Sequence, residues 1–203
     1  MIRFLKTETP PLHAWQRMLS GRRLNLLEPS PLDIEVEDIA QGLSRVARWN
    51  GQTEGNWAYS VAQHSLLVEA IVRELRPGYA ERWLLAALLH DAAEYVLGDL
   101  ITPFKTAVGA DYKKLEMRLG EAVHIRFGIP ANLPQHVTDT IKRADKASAY
   151  FEATRLAGFG EREARTFFGR PRGIAVPTIR PVPPDAAKEA FVARHTKLLA
   201  RMT

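Results

Sequence analysis

The chain has 203 residues, 46% of them apolar and 25% charged, with no cysteine and a net charge of +5. That balance suits one globular domain with a sizeable core, and it excludes disulfides, thiolate nucleophiles and cysteine-based zinc or iron–sulfur sites. Residues 1–10 carry no apolar leader, and no apolar run is long enough to span a bilayer, so a cytoplasmic protein with no membrane partner is expected.

Charge is uneven along the chain. Residues 142–203 carry a net +7 and residues 1–141 a net −2. A basic C-terminal third attracts anions, but its cations are scattered and not interleaved with aromatics, which also describes an ordinary solvated surface.

The first thirty residues read as irregular, with a short helix near Ala14–Leu19. Helical periodicity then dominates. Ile34–Trp49 places Ile39, Leu43, Val46 and Ala47 on one face, and Gly51–Asn56 reads as a loop. Tyr59–Leu75 is the next helix, stopped by Arg76-Pro77-Gly78. Glu81–Leu97 is apolar nearly all round, which predicts one central buried helix ended by Gly98. Asp111–Phe127 and Pro134–Ala157 are further helices. Residues 169–184 hold five prolines and cannot continue a helix, so they predict an extended arm, with a short strand at Gly173–Val176 as an option. Asp185 is placed to cap a last helix to about Arg201. The fold class is all-α: one domain over 1–203, with its core at about 34–160 and the arm plus final helix at about 161–203.

His90-Asp91 lies within the most apolar segment, with Glu94 at helical spacing on the same side. Polar groups on a buried flank need partners, and a divalent cation satisfies His and Asp together. Alone the dipeptide is weak evidence. His64 sits among apolar positions, where a hydrogen-bonded core histidine is the commoner outcome. Asp145 follows a packed face in IKRADKASAYF, where an ion pair to Lys142 or Arg143 competes. Together, two imidazoles and two carboxylates on core-lining helices suit Mn, Fe, Co, Ni or Zn.

The ordered set H…HD…D, with LLHDAAE around His90, resembles the HD-domain metal-dependent phosphohydrolases. The resemblance is closer to the bacterial 5′-deoxynucleotidases and related phage dATP triphosphohydrolases. It rests on Arg48-Trp49, SVAQHS, HDAAEYVLGDLITPFK and KRADKASAY, and covers about residues 34–155. It implies an HD-domain helical bundle that binds one divalent ion (Mn, Co, Fe, Ni, Zn or Mg) through His64, His90, Asp91 and Asp145. By the same resemblance Glu94 positions or deprotonates the attacking water, and Asp99 protonates or orients the leaving oxygen. Arg48 pairs with phosphate or sugar, Trp49 packs against sugar or base, and Thr102, Pro103 and Lys105 belong to a phosphate-touching loop. The expected activity is hydrolysis of deoxynucleoside 5′-monophosphates. The alternatives are a deoxynucleoside triphosphate triphosphohydrolase and a non-enzymatic, metal-containing module that binds nucleic acid. Expected partners are the nucleotide substrate and further copies of the chain, as a homodimer or higher homo-oligomer, with nucleic acid not expected. Asn50-Gly51, the first thirty residues and the arm depart from the family pattern.

Overall fold

The computed structural model describes residues 14–100, 109–175 and 177–202. Among these residues, eight α-helices surround a core, and the only sheet is a two-stranded hairpin.

That hairpin replaces the helix expected near Ala14–Leu19. β1 (Trp15–Arg17) pairs antiparallel with β2 (Arg23–Asn25), with Gln16 opposite Leu24. Met18 N–H donates to Arg22 O, and Gly21 turns the chain at φ +97°. Only glycine adopts that conformation readily, so the turn closes where a helix would have continued.

A 3₁₀ turn at Pro31–Asp33 leads into α1 (Val36–Leu43), which buries Ile39, Ala40 and Leu43. The helix expected to run on to Trp49 stops at Ser44. Backbone pairing with the segment ahead of the next helix wins instead: Arg48 N–H donates to Tyr59 O at 2.8 Å, and Val61 N–H to Val46 O at 3.0 Å. Arg48–Gly51 then form a tight turn in which Trp49 and Asn50 have φ of 56° and 51°. Non-glycine residues rarely occupy that region, so the surrounding contacts must impose it.

α2 (Val61–Leu75) is capped by Ser60, whose side chain accepts from Gln63 N–H at 3.3 Å. The single helix expected over Glu81–Leu97 is two pieces, α3 (Glu81–Leu88) and α4 (Glu94–Leu97). Between them the backbone tightens. Leu89 N–H still reaches four residues back to Leu85 O, but Ala92 and Glu94 reach only three back, to Leu89 O and Asp91 O. Apolar periodicity cannot register such a change of pitch, because both pieces are buried.

α5 (Ala110–Arg126) and α6 (Gln135–Arg155) match the expected helices closely. A short helix that the sequence reading did not anticipate, α7 (Glu161–Phe168), precedes the arm. Residues 173–175 form no strand, and Val176 lies outside the described residues. α8 (Pro184–Leu199) begins after Pro183, so Asp185 is a first-turn acid and not the cap; it pairs with Arg45 at 2.8 Å.

α2 packs against α6 and α3, α8 lies across α1, α2 and α3, and α7 covers α6. α1 approaches α4 closely at Gly42, where a Cβ would stand 2.5 Å from Tyr95 O. No described helix is long and apolar enough to cross a membrane.

Candidate metal centre

Three elements bring the HD-motif residues together. His64 is fully buried midway along α2, His90 and Asp91 lie in the tightened turn between α3 and α4, and Asp145 lies on α6. His64 Nε2 is 3.4 Å from Asp91 Oδ2 and 3.3 Å from Asp145 Oδ1. His90 Nε2 is 3.1 Å from Asp91 Oδ2. Ligand atoms of His64, His90 and Asp145 all fall within 4.8 Å of one another. Ligands bound at about 2.1 Å lie roughly 3 Å apart in adjacent positions and about 4.2 Å apart across an octahedron, so these contacts have the spacing of a coordination shell.

The other ring nitrogens decide which tautomer faces the cluster. His90 Nδ1 lies 2.9 Å from Ala87 O, which only accepts, so Nδ1 carries the proton. His64 Nδ1 lies 2.6 Å from Glu152 Oε1. Both Nε2 atoms are buried and have no hydrogen-bond partner among the described residues. With both imidazoles neutral, two lone pairs face carboxylate oxygens at 3.1–3.4 Å. That arrangement is repulsive unless a positive charge sits between them, so the residues present fit a divalent cation.

Without the ion, a proton takes its place on His64. Burial and the nearby Arg48 push the His64 pKa down, yet Glu152, Asp145 and Asp91 outweigh them and hold it well above the ordinary value. Burial would raise Asp91 and Asp145, but the two imidazoles keep both carboxyls below the usual range. The ion pair weighed for Asp145 with Lys142 or Arg143 does not form among the described residues; its close partner is His64.

Glu152 is the residue that sequence reasoning missed. Fully buried, it receives four donors: His64 Nδ1 at 2.6 Å, Ser148 Oγ at 2.8 Å, Trp49 Nε1 at 2.9 Å and Arg48 Nε at 3.3 Å. Burial would raise its pKa, but His64 and Arg48 hold it far below the carboxylate range. A signal was present: Asp145, Ser148 and Glu152 stand at i, i+3 and i+7, one face of α6.

Arg48 bridges Glu152 and Asp99, the latter at 3.0 Å, and both partners are largely buried. The Trp49 ring packs on Phe159 and Phe168, at 5.6 and 5.8 Å between centroids. The expected substrate residues are thus tied into the support of His64. Glu94 is buried and lines a cleft of about 530 Å³ with His90 and Asp91. Thr102, Pro103 and Lys105 lie outside the described residues.

Comparison with known proteins bears on this arrangement. The HD-domain family profile matches residues 61–149, from the start of α2 to beyond Asp145. The chain is 58% identical over 195 residues to an uncharacterised protein of Rhodobacter capsulatus, covering 94% of this chain and 98% of that one. It is 31% identical over 150 residues to a 5′-deoxynucleotidase of Photorhabdus laumondii, covering 60% of this chain and 73% of that one. The chain belongs to the HD-domain phosphohydrolase family. HD domains bind divalent metal, and the His/His/Asp cluster of this HD domain is a site where one fits. A similar solved structure is the cyanophage S-2L HD phosphohydrolase DatZ bound to dA and one catalytic Zn²⁺ ion, with a TM-score of 0.48, 18% identity, and coverage of 83% of this chain and 94% of that one.

Proposed function

We propose that the protein hydrolyses a phosphate ester of a deoxynucleotide, with a deoxynucleoside 5′-monophosphate as first substrate and nucleoside plus orthophosphate as products. The observation that carries this reading is the pair of buried, unpartnered Nε2 atoms facing Asp91 and Asp145. The relative named as a 5′-deoxynucleotidase supports the substrate class. His64, His90, Asp91 and Asp145 hold one divalent ion, which supplies a lowered water pKa and polarisation of a phosphoryl oxygen.

The chain's own groups do the rest. Glu94, beside His90 and Asp91 in the same cleft, accepts the proton of the attacking water. Asp99, held by its ion pair with Arg48, orients the leaving oxygen. Arg48 has one end on Glu152 and the other on Asp99, so it couples substrate recognition to the support of His64. Trp49, held in a left-handed turn, closes the wall beside it.

The test is hydrolysis of dAMP and dATP with Mn²⁺, Co²⁺ or Zn²⁺, with metal content measured in parallel. Wild type should carry about one ion per chain and release orthophosphate from dAMP, and His64→Ala and Asp91→Ala should lose the ion. Unchanged metal content in both variants would show the site is misplaced. Intact triphosphate released from dATP, with dAMP untouched, would replace the monophosphate reading with the triphosphohydrolase.

A further inference from the structure

We infer that the cleft between α6 and the proline-rich arm is a subsite for a second phosphate group, carried by the nucleotide in addition to the phosphate that meets the ion cluster. The inference rests on the deoxynucleotide reading above and deepens it. The cleft has a volume of about 580 Å³, and its charged lining is Lys142, Arg143, Lys146, Arg170 and Arg172 against Asp139 and Asp145.

Position comes first. Asp145 belongs to this cleft and to the cluster, and its side chain is 43% exposed, so the cluster opens here. Charge comes second. None of the five cations closes an ion pair among the described residues, and here they stand together in one cleft. Unpaired like charges gathered in one concavity repel one another, and a bound anion relieves that repulsion. The cleft that Glu94 shares with His90 and Asp91 is lined among the described residues by fewer cations, Lys113 alone of the lysines and arginines.

Rigidity comes third. The backbone of the arm is held by side chains of two helices. Arg143 Nη2 donates to Arg172 O at 3.0 Å, Glu74 of α2 accepts from Ala175 N–H at 2.8 Å, and Gln63 Nε2 of α2 donates to Arg180 O at 2.8 Å. Pro171 fixes φ between Arg170 and Arg172. The backbone that carries Arg172 is therefore set before a ligand arrives, and a planar guanidinium fork suits phosphate oxygens. The second phosphate has two possible sources, a 5′-polyphosphate tail or a 3′-phosphate, and the subsite chemistry is the same for both.

Two measurements on the full chain test this. In the first, metal-stripped protein is titrated with inorganic pyrophosphate. Arg170→Ala/Arg172→Ala should weaken binding about tenfold or more, Arg170→Lys/Arg172→Lys should recover part of it, and Arg17→Ala/Arg23→Ala on the hairpin, an equal loss of charge, should leave it unchanged. Thermal melts confirm that each variant is folded. In the second, kcat/KM is compared for dAMP, dATP and deoxyadenosine 3′,5′-bisphosphate with the ion present. The Arg170→Ala/Arg172→Ala variant should lose at least about tenfold more on a two-phosphate substrate than on dAMP. Loss on dATP identifies the 5′ tail, and loss on the bisphosphate the 3′-phosphate. Unaltered pyrophosphate affinity, an equal fall in the hairpin variant, or equal losses on all three substrates would overturn the subsite. If wild type hydrolyses no nucleotide while pyrophosphate binding still depends on Arg170 and Arg172, the functional reading fails and the subsite stands.

Discussion

Glu152 has the heaviest burden of any side chain near the cluster. It fixes the His64 tautomer, and it also anchors Arg48 and Trp49. Glu152→Gln preserves shape but removes the charge that makes Nε2 a strong donor. Metal affinity, read by chelator competition, should fall about 10–100-fold, the usual scale for groups behind a ligating histidine. An affinity equal to wild type would reduce Glu152 to a packing residue. Glu94 belongs to a different class, since it lines the cleft beside His90 and Asp91 without being among the proposed ligands. Glu94→Ala should keep the ion and lose roughly 10²–10⁴-fold in turnover. Near-normal turnover with metal retained would remove it from the mechanism.

At the scale of elements, two contacts set how the helices dock. Gly42 lets α1 lie against the backbone of α4, and a methyl group there meets Tyr95 O, Cβ and Cα at 2.5–2.9 Å. Backbone cannot swing aside as a side-chain tip can. Gly42→Ala should cost about 1–3 kcal/mol despite its higher helix propensity, and a denaturant midpoint at or above wild type would contradict that packing. α8 depends on His195, which is buried edge-on to Phe127 at 4.5 Å. Burial pushes its pKa from 6.5 down to about 4. Below pH 6.5 the unfolded chain gains a proton that the folded chain refuses until about pH 4, so stability is complete above that window and declines as pH falls through it. His64, whose pKa is raised, pulls the other way, and His124, lowered by burial, pulls the same way, so the signature of His195 is a difference between variants: the urea midpoint of wild type should fall more, or rise less, between pH 7 and pH 5 than that of His195→Leu. An identical pH slope in that variant would show that His195 does not drive the effect.

For the whole molecule, the cluster joins distant parts of the chain. His64 comes from α2, His90 and Asp91 from the α3–α4 turn, and Asp145 from α6. An ion held there cross-links the core, and the unfolded chain cannot reproduce that site. Free Mn²⁺ or Zn²⁺ at a hundredfold its Kd should stabilise metal-stripped protein by about 2.7 kcal/mol. Calorimetry should show Tm rising with the ion and the rise vanishing in Asp91→Ala. A rise that survived that substitution would place the binding elsewhere.

The sequence by itself determined the all-α class and the spans of α2, α5 and α6, because helical periodicity is a local property of the chain; the four residues that meet at the cluster were legible through the resemblance that the order H…HD…D carries. It did not reveal the break at 89–93, since a buried helix is apolar on both sides of a change in pitch. Nor did it reveal the hairpin at Trp15–Asn25, where the positive φ of Gly21 outweighed helix-like spacing. Glu152 stayed hidden because its partners lie 88, 103 and 104 residues away, at His64, Trp49 and Arg48. The basic cleft was hidden for the same reason. Scattered cations look alike along the chain, and only the folding of the arm over α6 gathers Arg170 and Arg172 beside Asp145. Charge adds up by proximity in space, and only the tertiary structure supplies that proximity.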